Sequence, residues 1–194
     1  QGNVFNIVDQ SCIGELGKEK RAMVLCDVLN QTDGGAANEY DVRLTNFTRV
    51  LEKDAVALES AAEGDLAVEN PIHIEQLWFS GGYINMMIKY NAKISSETKH
   101  LVNLVYSKDE QGRYVLNLRH NAFGEVWTEE NSSDMIIGSG YVSFPITKIV
   151  KEDNAKLVFK WKWHKDVGSR FDYLFEKDYS FEFDWTRSGF EHKF

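Results

Sequence analysis

Residues 156–163 read Lys156-Leu157-Val158-Phe159-Lys160-Trp161-Lys162-Trp163. Leu157, Phe159, Trp161 and Trp163 fall on one side of a period of two, and Lys156, Val158, Lys160 and Lys162 on the other. Successive side chains of a strand point to opposite faces, so this is a strand with one buried face and one wet face. The same alternation recurs outward from it. Ile84, Met86 and Ile88 alternate with Asn85, Met87 and Lys89, and Tyr114, Leu116 and Leu118 with Val115, Asn117 and Arg119. Phe171, Tyr173 and Phe175 make a further apolar face, and Tyr179, Phe181, Phe183 and Trp185 another, opposite Ser180, Glu182 and Asp184.

Turn residues separate these runs: Ser80-Gly81-Gly82, Asp109-Glu110-Gln111-Gly112 and Asp166-Val167-Gly168-Ser169. About eight short strands from Ile72 to Trp185 predict an antiparallel β-sandwich. The longest connection runs from Asn121 to Gly138, and long loops in compact domains are often functional or mobile.

The first 70 residues differ. Strand candidates are Val4–Val8, Arg21–Asn30 and Tyr40–Val50, with Asp33-Gly34-Gly35 between the last two. Val56–Val68 is rich in Ala and acidic residues and reads as a linker or short helix. The pattern restarts at Asn70-Pro71, so the expected domains are 1–70 and 71–194, both mainly β.

Of 194 residues, 43% are hydrophobic and 13% aromatic, enough for a packed core and against extended disorder. The net charge of −8 is uneven: residues 1–70 hold 13 acidic and 6 basic side chains. A phosphate backbone is repelled by such a domain, so nucleic acid is not an expected partner. No apolar run approaches the roughly 20 residues that span a bilayer. A start at Gln1 reads as a processed chain. Cys12 and Cys26 either pair, in a loop worth about 3 kcal/mol, or are two small buried hydrophobes. The apolar run Met23–Leu29 around Cys26 favours burial.

One ordered set of blocks carries a resemblance. It comprises residues 74–85 (Ile74-Glu75-Gln76-Leu77-Trp78-Phe79-Ser80-Gly81-Gly82-Tyr83-Ile84-Asn85), Lys99–Val105, Leu116-Asn117-Leu118-Arg119-His120-Asn121-Ala122-Phe123-Gly124 and Gly140–Phe144. In order and spacing they resemble the C-terminal β-sandwich domain of the NigD-like proteins of Bacteroidetes. The resemblance implies an N-terminal OB-like domain, with Arg21–Ala55 matching its later strands. It also implies a cell-envelope lipoprotein whose anchor lay on a removed N-terminal segment. Fold analogy does not give function.

No catalytic signature is present. His73, His100, His164 and His192 share no ligand spacing, so neither a metal nor another cofactor is expected. No Gly-x-Ser-x-Gly elbow or phosphate-binding glycine loop exists. Asp109-Glu110 and Glu129-Glu130 read as solvated loop charge. Arg119-His120-Asn121 is the most polar cluster. Arg119 is a candidate ligand contact, whereas His120 shares the face of Leu116 and Leu118 and, with Asn121, reads as a structural anchor of the long loop. Trp161 and Trp163 read as core. Trp127, in the long loop beside Glu125, is the leading candidate for a ligand contact. The sequence therefore predicts a non-enzymatic envelope binding or interaction module with a protein or glycan partner. The alternatives are a glycan- or peptide-directed hydrolase with its site at the domain junction, and a bacteriocin-immunity or scaffold protein.

Overall fold

The computed structural model describes residues 3–11, 20–128, 130–164 and 176–186. The chain forms two compact units, Gln1–Leu51 and Glu52–Phe194. In the first, β1 (Val4–Asp9) runs parallel to β3 (Glu39–Glu52), and β2 (Ala22–Gln31) pairs antiparallel with β3. Three strands give a sheet, and among the described residues of this unit they close no five-stranded barrel. Leu25, Val28 and Val8 are more than half exposed, and Cys26 is a half-buried free thiol rather than a buried hydrophobe. Cys12 lies outside the described residues.

The second unit is the sandwich. One sheet orders β5 (His73–Ser80), β6 (Tyr83–Lys93) and β9 (Met135–Pro145), all antiparallel. The other runs β11-β10-β8-β7-β4, from β4 (Val56–Ala57), β7 (Leu101–Lys108), β8 (Tyr114–Asn121), β10 (Asn154–His164) and β11 (Glu176–Thr186). Pairing is mostly antiparallel, with two parallel exceptions, β8 with β10 and β4 with β7. The first has a topological cause: the chain leaves β8, crosses to the other sheet as β9 and returns as β10, which therefore runs with β8.

The alternating residues meet in the centre. Ile84, Met86, Leu116, Phe144, Leu157 and Phe159 are fully buried, each contributing roughly 1.5–3 kcal/mol. Trp161 packs on this core beside Phe159 and Phe181, as its spacing predicted. The Phe171–Phe175 face and the Asp166–Ser169 turn lie outside the described residues, as does the Trp163 side chain. Gly81 and Gly82, with φ of 58° and 82°, make the tight turn between β5 and β6, where both central residues need a left-handed backbone.

The units divide at Leu51 rather than near Asn70, because the intervening segment belongs to the sandwich. Val56 and Ala57 pair with Val105 and Tyr106 of β7. Leu58–Ala61 and Gly64–Ala67 then form two short 3-10 turns.

Candidate functional site

The β7–β8 hairpin fixes the geometry at one end of the sandwich. Its register sets Val102 opposite His120, so His100, two residues before Val102, lies diagonally beside His120 on the same face. The two rings meet: His100 Nδ1 is 3.0 Å from His120 Nε2. His120 Nδ1 donates to the Pro71 carbonyl at 3.0 Å. His100 Nε2 faces Glu125 Oε2 at 3.3 Å. His120 is 2% exposed, and the His100 and Glu125 side chains 4% and 9%. The Tyr90 ring covers both imidazoles, with centroids 4.8 and 5.9 Å away. Gly138 on β9 makes room for it, since a Cβ there would stand 2.7 Å from the ring.

Burial pushes His120 down to about 4 against the bond to Pro71, and the neighbouring His100 pushes the same way. Burial alone would raise Glu125, but donors from the Lys93 amide, Ser96, Thr98 and His100 outweigh it and hold the carboxyl at about 2.

The polar residues flanking His120 work on the chain itself. Arg119, read from sequence as a ligand contact, is 11% exposed and pairs with Glu69 at 3.0 Å. Its Nη1 donates to the carbonyls of Ala61 and Leu66 at 2.7 and 3.0 Å. Its place is therefore a clamp on the two 3-10 turns. Arg119→Ala is expected to lower stability by about 2 kcal/mol in urea titration, because it strips donors from buried carbonyls; a change below about 0.5 kcal/mol would contradict this. Asn121 donates to Asp65 and accepts the Phe123 amide at 2.9 Å.

That last bond shapes the loop. Ala122 to Glu125 form a turn closed by the Glu125 amide on the Ala122 carbonyl at 2.9 Å. Its central residues, Phe123 and Gly124, have φ of 48° and 86°. Glycine adopts this readily, whereas for phenylalanine it costs about 1 kcal/mol. Phe123 is also 46% exposed. Among the described residues the other non-glycine with positive φ is Ser95, at 60°. Of these two positions Phe123 lines a cleft of about 410 Å³, together with Glu125, Ser96, Thr98, Lys93 and Asp134 among others.

Trp127, the leading candidate from sequence, does not line this cleft. It borders a cavity of about 20 Å³ with Pro71, His120 and Val126, room for about one water. The loop's exposed aromatic is Phe123, two residues before the glutamate that joins cleft and histidines. No group of three or more potential metal ligands occurs among the described residues. Likewise, no described helix is long and apolar enough to cross a membrane.

The family described as the NigD-like C-terminal beta sandwich domain matches residues 55–176. Solved structures share the fold. A Bacteroides vulgatus protein of unknown function aligns at TM-score 0.63 and 16% identity, over 95% of this chain and 80% of that one. A NigD-like immunity protein from Bacteroides caccae aligns at 0.58 and 16%, over 86% and 76%. A candidate lipoprotein from Bacteroides fragilis aligns at 0.60 and 16%, over 93% and 87%. No curated protein matches.

Proposed function

Because this chain belongs to the NigD-like family through its C-terminal β-sandwich domain, we propose that it is a non-enzymatic cell-envelope binding module whose cleft beside Phe123 takes a glycan-sized ligand. The observation that carries this is Phe123 at the cleft. It holds an unfavourable backbone conformation there and presents an exposed ring. Strain of this kind persists where surrounding structure holds it, and it collects at binding sites. The cleft's volume lies in the range of small-ligand pockets, and its lining combines one aromatic with hydroxyl and charged groups. A protein partner would instead need a broad surface of about 800 Å².

The histidine pair gives little support to hydrolysis. All four ring nitrogens already face the Pro71 carbonyl, each other or Glu125, so none points into the cleft. Ser96 donates its hydroxyl to Glu125 rather than to an imidazole, and a carboxyl held at about 2 is a weak general base. An envelope location is supported by the Bacteroides fragilis neighbour described as a candidate lipoprotein. A second reading, immunity or scaffolding with a protein partner, draws on the Bacteroides caccae neighbour described as an immunity protein.

Glycan-array screening followed by calorimetry tests the proposal. Phe123→Gly is expected to weaken binding at least about tenfold, a typical loss for a central aromatic. The same change should raise stability by about 1 kcal/mol by relieving the strain. If Trp127→Ala abolishes binding and Phe123→Gly does not, the contact belongs to Trp127. An array with no hits, alongside a captured protein partner, would favour the immunity reading.

A further inference from the structure

β2 lies at a sheet edge but has the composition of an interior strand. Met23, Val24, Leu25, Val28 and Leu29 are apolar on both of its faces, and each is between 42% and 64% exposed. Strands that read apolar on both faces are ordinarily covered on both. Among the described residues β3 is its one hydrogen-bonding neighbour, so its other edge is open. Open edges are ordinarily guarded by lysine, proline or a bulge. From Ala22 to Val28 β2 has none of these. The irregularity beside Leu25 is an extra residue on β3, Thr45, and the one within β2 comes only at Leu29.

The pairing with β3 fixes which backbone groups the open edge offers. The Val50 amide donates to the Arg21 carbonyl at 3.2 Å, so Arg21 turns its backbone toward β3. Successive residues of an antiparallel ladder alternate in this respect. Ala22, Val24, Cys26 and Val28 therefore turn their N–H and C=O groups outward. A second copy, antiparallel about a two-fold axis, meets these groups with its own whenever the axis passes through one residue of β2.

Side chains select the residue. With the axis at Val24, Met23 faces Leu25 of the second copy and Arg21 faces its Asp27, and symmetry makes each contact twice. With the axis at Leu25 or Cys26, the Asp27 carboxylate faces Met23 or Leu25 instead. At Asp27, it faces its own copy. We propose that β2 pairs with β2 of a second copy of this chain, antiparallel about Val24, so that one sheet runs through both. Such a contact is self-complementary and closes as a dimer. An unrelated extended peptide can take the same backbone bonds, but the doubled Arg21–Asp27 match favours a second copy. The interface lies on the first unit and is independent of the cleft beside Phe123.

Sedimentation equilibrium of the full chain over a concentration series tests this. The parent is expected to dimerise. Asp27→Arg and Arg21→Asp, each of which sets like charges together twice, should each weaken the dimer at least about tenfold. The double exchange of both residues should restore it. Val24→Pro removes an outward N–H at the axis and leaves the bonds to β3 intact. It should give a folded monomer, with the parent's circular dichroism. A parent that stays monomeric would overturn the proposal, as would a dimer that the single reversals leave unchanged or the double exchange does not restore. Should Val24→Pro fail to fold, the charge exchanges decide by themselves.

Discussion

His120→Ala is expected to unfold about 3 kcal/mol more readily than the parent in urea titration, and to melt about 10 °C lower. The ring is 2% exposed, so its removal leaves a void between β7, β8 and the Tyr90 ring. Two polar groups also lose their partner, the Pro71 carbonyl and His100 Nδ1. Unmade bonds of this kind cost about 1–3 kcal/mol each, reduced where neighbouring loop lets water in. His120→Asn retains a short amide that can donate toward Pro71, so roughly half of the loss should return. An alanine variant within about 0.5 kcal/mol of the parent would mean that the histidine chain does not hold the loop.

His120 also marks what the sequence makes legible. Its place in the alternation with Leu116 and Leu118 puts it on the inner face, and burial follows from the strand period alone. The partner is less legible. Centring the hairpin on Asp109–Gly112 would set Val102 opposite Arg119; the loop instead closes from Asp109 to Arg113, which sets Val102 opposite His120 and brings His100 alongside. Read as scattered along the chain, the histidines show no spacing, because cross-strand neighbours are close in space and far in sequence. Glu125 is harder to foresee. It reaches His100 only because Phe123 and Gly124 both take left-handed backbone, and nothing local announces that at a phenylalanine. Arg119 is a different case: its partners are backbone carbonyls of Ala61 and Leu66, which carry no side-chain signature. In the first unit, the run Met23–Leu29 predicts burial, yet three strands with no second layer among the described residues of that unit leave much of it exposed.

Acid should weaken the sandwich in two steps, the first set by His120. The folded protein keeps this ring from taking its second proton until about pH 4, against 6.5 for an ordinary histidine. Between those values the unfolded chain binds more protons than the folded one, so stability rises with pH across the window. The contribution is complete above about 6.5 and is lost as pH falls toward 4, amounting to about 3 kcal/mol. The second step lies lower. Glu125, held at about 2 against its usual 4.5, contributes stability that is lost as pH falls from 4.5 toward 2. Glu152, also held at about 2, acts in that same lower range. The upper window therefore separates the histidine from these carboxylates. Urea titrations from pH 7 to 4 should show the parent losing stability steadily through it, while His120→Asn, with no titrating ring at that position, loses far less. Equal slopes in the two proteins would assign the acid sensitivity to some other group and leave the buried ring without a role in it.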